Sequence, residues 1–294
     1  MRSITCTNKS GYSITFGEKA FTPFLLVTVD GIYNAENSVF LSDNTMTDGS
    51  TYLGSVAKYR NIVFQVIDNP KSDWRYNISK RDLLYTLFKR NEEGELVYTE
   101  NGISRRINYH SEYIRRARKK ARAFSISLIC HDPFFKDMEA TTVSMSEWIP
   151  AFEFIHEFKE DGEELGYKSN VKLVEIINDH AADEIGLTII ITSTGDLTNP
   201  AIAHVEKNES IMIGSELKPF NMLGGDVITI TTGVNNKHVM LTRNGQTTEI
   251  NQYLTETSEF IQLQSGINHI AYSASSGENY MSVDVKYTFE YEGG

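Results

Sequence analysis

Apolar and polar side chains alternate along much of the chain, and this period of two predicts β-strands. Pro133 has no amide hydrogen to give to a sheet, so we expect the most regular of these strands, at 124–131, to end there. We interpret it as the last strand of a first domain. Its two faces carry four side chains each: Phe124, Ile126, Leu128 and Cys130 on one side, and Ser125, Ser127, Ile129 and His131 on the other.

Other short apolar runs in the first half predict further strands, at 13–16, 24–29, 59–67, 95–98 and 105–109. Asn101-Gly102 is a typical turn pair and predicts a hairpin between the last two of these runs. The polar stretch 42–47 predicts a mobile loop, and Asp48-Gly49 predicts a turn after it.

One stretch of the first half has helical spacing instead. Leu83, Leu84, Leu87 and Phe88 fall on a single stripe of a helix of about three turns. A helix of this length is marginal by itself in water, so we expect its stripe to pack on the core of the domain. The first domain is therefore predicted to be α+β, in a chain that is mainly β.

The second half is almost wholly β from residue 171 onward. Asn199-Pro200 is interpreted as a turn, and Asn244-Gly245 predicts a hairpin. Short strands at this spacing predict an antiparallel β-sandwich. The predicted strands lie at 171–177, 186–192, 227–231, 239–242, 260–263, 267–273 and 281–291.

A chain of 294 residues is longer than one hydrophobic core usually encloses, so we expect two domains. We place them at 1–137 and 138–294, with 138–170 as an acidic and aromatic connecting region. The charge distribution agrees with this division, because the first part carries a net charge of +5 and the second a net charge of −16.

The basic excess of the first part comes from one run of six cations within eight residues: Arg115, Arg116, Arg118, Lys119, Lys120 and Arg122. The spacing of Tyr113, Ala117 and Ala121 suits a helix, although the strand that follows could also begin inside the run. Such a run could contact a phosphate backbone. However, it has no interleaved aromatic residues and no recognised nucleic-acid-binding fold around it, so we expect no sequence-specific nucleic-acid binding. We interpret it as a solvated face or a candidate subunit interface.

Composition narrows the class of protein further. Cys6 and Cys130 are the only cysteines, which excludes a disulfide framework and a multi-cysteine metal cluster. No run of about 18 apolar residues occurs, so we expect no membrane insertion. The N-terminus lacks the apolar segment of a secretory signal, and synthesis inside the cell is expected.

Enzymatic constellations fail on geometry or spacing. Cys130, His131 and Asp132 are adjacent, but neighbours on a strand point to opposite faces, so Cys130 and His131 would not form a thiolate pair. His156 begins a zinc-protease pattern, yet Glu160 stands where the second histidine belongs. The carboxylates at 157–164 fit a solvated loop better than a glycosidase pair. Four further histidines occur singly: His180, His204, His238 and His269. We therefore predict no catalytic residue, no bound metal and no cofactor.

At this point the motifs resemble those of a known family, the distal tail proteins of siphophages. The most characteristic piece is Cys130, Asp132, Pro133 and Phe134, which we call the domain-junction motif. An early strand that ends in Asp-Gly and an arginine at the start of the 59–67 strand also match. The resemblance implies a first domain shaped as a small β-barrel or sheet with one helix.

The second half resembles the same family. Leu263, Gly266 and Asn268 match a strand entry of its C-terminal domain, which is a galectin-like or carbohydrate-module-like antiparallel β-sandwich. One departure is the sequence after Asn178, where the usual glycine of the turn is absent. Only the geometry of that turn is affected.

The resemblance implies a structural protein of the virion tail tip rather than an enzyme. In that family the first domain forms a homohexameric ring. One face of the ring meets the tail-tube protein and the other meets the tail-associated lysin or baseplate hub, and a contact with the tape-measure protein is left open. The same tip architecture occurs in tail-like bacteriocins, so both kinds of particle remain possible.

A second hypothesis comes from another class, a lectin-like module that binds polysaccharide of the host cell wall. Sugar sites need exposed aromatic platforms beside polar groups. The candidate platforms are Trp148, Tyr253 and Tyr272. Aromatic residues of sandwiches are more often part of the core, which favours the structural hypothesis.

Overall fold

The computed structural model describes residues 2–17, 22–44, 47–69, 80–116, 123–150, 166–170, 172–179 and 184–294, with side chains described for all of these except 146–150 and 166–170. It divides the chain into two compact units. Unit 1 comprises residues 1–138 together with 290–294, and unit 2 comprises residues 139–289.

The first part of the chain forms one helix and ten strands within the described residues. The helix, α1, is Lys80–Leu87, and the strands are β1 Arg2–Asn8, β2 Ser13–Gly17, β3 Phe24–Asp30, β4 Asn37–Asp43, β5 Ser50–Ala57, β6 Arg60–Asp68, β7 Glu93–Glu100, β8 Ile103–Arg116, β9 Ala123–Cys130 and β10 Phe135–Asp137.

The second part forms strands and two short 3₁₀ turns, at Asn251–Tyr253 and Glu278–Tyr280. Its strands are β11 Thr141–Ser144, β12 Ser146–Pro150, β13 Gly166–Asn170, β14 Leu173–Asn178, β15 Glu184–Ser193, β16 Leu197–His204, β17 Glu209–Met212, β18 Asn221–Met222, β19 Val227–Gly233, β20 Asn236–Arg243, β21 Gln246–Glu249, β22 Gln262–Gln264, β23 Gly266–Ser276, β24 Met281–Tyr287 and β25 Glu290–Tyr291. The chain is mainly β, as the pattern predicts.

Seven strands of unit 1 close into a barrel in the order β8, β7, β1, β2, β3, β6 and β9, and β9 pairs again with β8. All these pairings are antiparallel except that of β2 with β3. Closure leaves few free strand edges, which limits a route to aggregation. Strand β8 is long enough to pair with β7 along its first part and with β9 along its second.

The long β8 decides the ambiguous region before β9. Residues 113–116 are extended and pair with β9, so the helical interpretation of Tyr113, Ala117 and Ala121 is wrong at its start. The rest of that stretch, 117–122, lies outside the described residues. Pairing with β9 satisfies the backbone groups of this segment, whereas a short isolated helix is only marginally stable in water.

The helix α1 packs as its apolar stripe predicts. Leu83, Leu84, Leu87 and Phe88 are all buried in the core of unit 1. The Phe88 ring lies 5.7 Å from the ring of Tyr109 between centroids. Burial of this stripe is what stabilises a helix of only eight residues.

The hairpin predicted at Asn101-Gly102 is confirmed. Both residues have positive φ, 53° and 88°, as a two-residue type I′ turn requires. The turn fixes the register of β7 on β8, with Glu100 opposite Ile103 at its base.

The domain-junction motif does not end the first sheet, which corrects the sequence interpretation. Strand β10 follows it and pairs with β8, and β25 from the far end of the chain pairs with β10. Unit 1 therefore includes residues 290–294, which the predicted division assigned to the second domain. The first half of β8 is not paired with β9, so its edge is free to pair with β10, and β10 pairs in turn with β25.

Unit 2 consists of two main antiparallel sheets around one core, the arrangement of a β-sandwich. One sheet has the order β11, β24, β15, β19, β20 and β21, with β22 beside β15. The other has the order β14, β23, β16 and β17, with β18 beside β16. The hairpin at Asn244-Gly245 is confirmed, with φ of 52° and 75°.

Two interpretations in the second half are wrong. Residues 138–170 were expected to connect the domains, but β11, in the first part of this range, adds to the sheet of unit 2. Strand β12 pairs with β13, and residues 151–165 lie outside the described residues. Asn199-Pro200 was expected to be a turn, but both residues lie within β16. Asn199 has φ of 49°, and its side chain accepts a hydrogen bond from the Phe220 amide, so it forms a local irregularity rather than a reversal.

A buried asparagine links the strands of unit 2. The Asn268 amide nitrogen donates to the carbonyl oxygens of Gln264 and Gly266, each at 2.9 Å. Its Oδ1 atom lies 2.8 Å from Nε2 of His204, another buried side chain. These bonds satisfy polar groups inside the core, and they explain why an asparagine occupies this strand entry.

Candidate assembly interface

Strands β4 and β5 form a two-stranded hairpin that belongs to no larger sheet of the described residues. Sequence analysis missed both strands and expected a mobile loop at 42–47. The available signal was a pair of apolar segments, at 39–41 and 52–53, on either side of the Asp48-Gly49 turn. We call residues 37–57 the exposed hairpin.

The exposed hairpin carries large apolar side chains on the protein surface. Phe40 is 52% exposed, Tyr52 61% and Leu53 66%. Val39, Leu41 and Val56 are exposed as well. A contiguous group of this kind marks an interaction site, because soluble monomers rarely expose one.

The register places these side chains on both faces of the exposed hairpin. Phe40 lies opposite Gly54, and Leu41 lies opposite Tyr52 after a bulge. Neighbouring residues on a strand point to opposite faces, so Phe40 and Leu41 face different sides. An isolated hairpin is marginally stable in water, and one that is apolar on both faces is suited to insertion between partner surfaces.

The cation run is only partly described. Arg115 and Arg116 are exposed at the end of β8, and the Arg115 guanidinium lies 4.1 Å from the centroid of the Tyr113 ring. Arg118, Lys119, Lys120 and Arg122 lie outside the described residues. The exposed end of β8 can present positive charge to an acidic partner.

The domain-junction motif forms a compact turn after β9. Asp132 Oδ1 accepts a hydrogen bond from the Phe134 amide at 3.2 Å, and its Oδ2 atom lies 2.8 Å from Nζ of Lys136. Lys136 also pairs with Glu290 at 3.0 Å and so connects β10 to β25. The motif thus positions two added strands rather than a catalytic group.

Cys130 and His131 lie on opposite faces, as the alternation predicts. Cys130 is fully buried, whereas His131 is exposed. Burial raises the pKa of the Cys130 thiol to about 12. The thiol is therefore protonated at neutral pH and is a poor nucleophile.

Arg60, the arginine at the start of β6, is buried and binds backbone carbonyl groups. It donates to Pro133 O at 2.6 Å, to Gly31 O at 2.8 Å and to Ile32 O at 3.1 Å, and also to Glu292 O. Its guanidinium lies 5.0 Å from the centroid of the buried Phe135 ring. Burial lowers the pKa of Arg60 from its ordinary value, so these carbonyl groups must supply the solvation that water would give.

We expect Arg60→Met to destabilise unit 1 by about 3–5 kcal/mol, because it leaves several buried carbonyl groups without a donor. Hydrogen exchange of the full chain, followed by mass spectrometry, measures this loss in peptides from β6 and β9. Peptides of unit 2 are the internal reference. Opening free energies within about 1 kcal/mol of those of the wild type in unit 1 would contradict the assignment.

The structure describes the side chains of two candidate sugar platforms, Tyr253 and Tyr272, and neither is an open aromatic surface. Tyr272 is 3% exposed and belongs to the core, so its interpretation as a platform is wrong. Tyr253 is half-buried, and its ring lies 5.0 Å from that of Phe220. Trp148 lies on β12, whose side chains are outside the described part of the structure.

A cleft of about 420 Å³ in unit 2 is lined by polar and charged residues and one aromatic: Glu184, Lys207, Glu209, Lys237, Ser258, Glu259, Phe260 and Gln262. Lys207 pairs with Glu184 at 2.8 Å across its surface. The Phe260 ring is half-buried and packs on the core. The cleft therefore lacks the flat exposed ring that a sugar platform requires.

His269 and two carboxylates form a surface cluster in unit 2. The His269 amide donates to Glu206 at 2.8 Å, its imidazole Nδ1 also pairs with Glu206, and its Nε2 lies 3.4 Å from Glu175. The hydrogen bond from the His269 amide is the main cause that lowers the pKa of Glu206 to about 2. The hydrogen bond to Glu206 raises the pKa of His269.

This cluster predicts a stability maximum at mildly acid pH. The Glu206 contribution is complete above about pH 4.5 and is lost towards about pH 2, because its pKa is lowered on folding. The His269 contribution is complete below about pH 6.5 and is lost as the pH rises through its raised pKa. In NMR titrations, Glu206→Gln should lower the pKa of His269. An unchanged His269 titration would contradict the pairing.

Part of the chain matches the model of a known protein family. Residues 181–291 match the family model described as siphovirus-type tail component, C-terminal domain. Over this range, unit 2 is similar to the C-terminal domain of siphovirus-type tail components. The resemblance to distal tail proteins is confirmed, and the family is a structural component of phage tails.

Solved structures agree in fold over nearly the whole chain. The Dit protein of phage SPP1, described as a paradigm of the hub adsorption apparatus in phages that infect Gram-positive hosts, matches with a TM-score of 0.63 and 13% identity. The match covers 98% of this chain and 99% of that one. A chain of the phage P2 baseplate in its activated conformation with Ca matches with a TM-score of 0.50 and 11% identity, covering 98% of each chain. A comparison with curated protein sequences gives no match.

Proposed function

We propose that this chain is the distal tail protein of a siphophage or of a phage-tail-like particle, and that six copies form a ring through unit 1. The observation that carries the proposal is the exposed hairpin, which is apolar on both faces and unpaired within the described residues. The family of unit 2 and the fold of the chain support the same role. The number six follows from the family resemblance.

A ring needs two different patches on each subunit, so that every copy binds the next one in the same way. The exposed hairpin supplies one patch, and its occupant is the barrel of a second copy. Contact on both faces would bury Phe40 and Leu53, and the outer strand edges could extend a sheet of the neighbour.

The proposed place of the ring is the tip of the tail, in the virion or the bacteriocin-like particle. One face would meet the tail-tube protein and the other would meet the tail-associated lysin or baseplate hub. Within the described residues, no helix is long and apolar enough to cross a lipid bilayer. The role requires protein surfaces rather than catalysis, and the buried Cys130 thiol agrees with this.

We expect the double substitution Phe40→Ser and Leu53→Ser to weaken self-association at least about 100-fold, because each large apolar side chain contributes about 1.5–3 kcal/mol when buried. Native mass spectrometry and sedimentation velocity of the full chain measure the ring. The wild type should give a sixfold mass. A wild type that stays monomeric, or a double variant that assembles normally, would contradict association through the exposed hairpin.

Leu217→Ser is the matched control, because Leu217 is 99% exposed and lies in unit 2. It should leave the sixfold species unchanged. If the hairpin variant forms rings but no longer binds tail-tube protein, the hairpin contacts the tube rather than a second copy. Hydrogen exchange in the barrel strands checks that both variants remain folded.

The cation run predicts a salt-dependent contribution to the same ring. Charge reversal in Arg116→Glu and Arg118→Glu should weaken association at low ionic strength and remove most of its dependence on salt. Native mass spectrometry across a range of ionic strengths measures this. Lys218→Glu, in unit 2, is the control for a change of charge alone. Ring formation that is unaltered at every salt concentration would rule out a role for these arginines.

A further inference from the structure

Three side chains that commonly bind metals meet on the outer face of the barrel of unit 1. Glu93, His110 and His131 each offer one ligand atom, and these atoms all lie within 4.8 Å of one another. The two imidazole rings are 5.8 Å apart between centroids. All three side chains are exposed, so an ion can reach them from solvent.

The strand register brings these residues together. Glu93 lies directly opposite His110 across the β7–β8 hairpin, and His110 lies opposite Ile129 on β9. His131 follows Ile129 by two residues, which places it on the same side of the chain. The cluster is therefore a consequence of a closed barrel in which β8 has both β7 and β9 as neighbours.

We propose that Glu93, His110 and His131 bind a divalent transition-metal ion of the zinc class. Two imidazole nitrogens and one carboxylate oxygen are ligands that zinc prefers. Ligand atoms of a tetrahedral zinc ion lie roughly 3.4 Å apart, given metal–ligand distances of about 2.0–2.1 Å. Small rotations of exposed side chains bring the present atoms to that spacing.

A neighbouring side chain positions the carboxylate. Asn108 lies two residues before His110 on β8, and its amide donates to Glu93 Oε1 at 3.2 Å. Such a partner orients a ligand and leaves the second oxygen for the ion. Three protein ligands leave a fourth position, which water or a group from another molecule can occupy.

The ligand types also decide against calcium. Calcium takes six to eight oxygen ligands, and two of the three groups here offer nitrogen. The site therefore differs from an acidic surface cluster that attracts hard cations. The sequence predicted no metal site and did not single out His110, because only the strand register brings His110 close to His131.

The test is a titration of the full chain, freed of metal by a chelator, with Zn²⁺ in a calorimeter and with Co²⁺ by visible absorption. We expect one ion per chain in the micromolar range or tighter. His110→Gln and His131→Gln should each weaken this binding at least about 100-fold, and Asn108→Ala about tenfold.

Ca²⁺ serves as the control ion and His238→Gln as the control variant, because His238 is an exposed histidine of unit 2. Neither should compete with or change the zinc titration. The proposal is overturned if Zn²⁺ shows no saturable binding below about 1 mM. It is equally overturned if the His110 and His131 variants bind zinc as the wild type does, which would place the ion elsewhere.

Discussion

The hydrogen bonding of one buried cation holds together the separate segments of unit 1. Arg60 starts β6, and its guanidinium binds carbonyl groups of the turn after β3, of the domain-junction motif and of the C-terminal segment. A buried charge is tolerated only where its hydrogen bonds are satisfied. The positions of Gly31, Pro133 and Glu292 are therefore coupled. This coupling explains why Arg60 at the start of β6 and Pro133 after β9 both belong to the motifs of the family resemblance.

The C-terminal segment also contacts several separate parts of unit 1. Arg105 donates to Gly293 O at 2.5 Å and lies over the Tyr291 ring, and Tyr291 in turn donates to Asp137 at 3.1 Å. Unit 1 thus uses residues from both ends of the sequence. Unit 2 is an insertion between them, held by its own core and by the buried amide of Asn268.

The candidate interface contrasts with both cores. In the barrel and the sandwich, large apolar side chains are buried at alternate positions. On the exposed hairpin they are left on the surface of both faces, although the hairpin gains little stability from its own two strands. Such an element is explained by a surface outside the described chain that covers it. A neighbouring copy in the proposed ring would supply that surface.

The sequence by itself determined the local structure. Alternation predicted many of the strands, although not β4 and β5. Asn101-Gly102 and Asn244-Gly245 predicted hairpins, and the stripe at Leu83 to Phe88 predicted the helix, because each depends on near neighbours. The motifs indicated the resemblance to distal tail proteins, because they are read from the sequence alone. Only the tertiary structure decided the return of 290–294 to unit 1, the exposure of Phe40 and the meeting of His110 with His131. The first and the last depend on pairing between distant strands, and a pattern of near neighbours carries no information about which edge a distant segment will join. The exposure of Phe40 depends on its hairpin pairing with no larger sheet of the described residues.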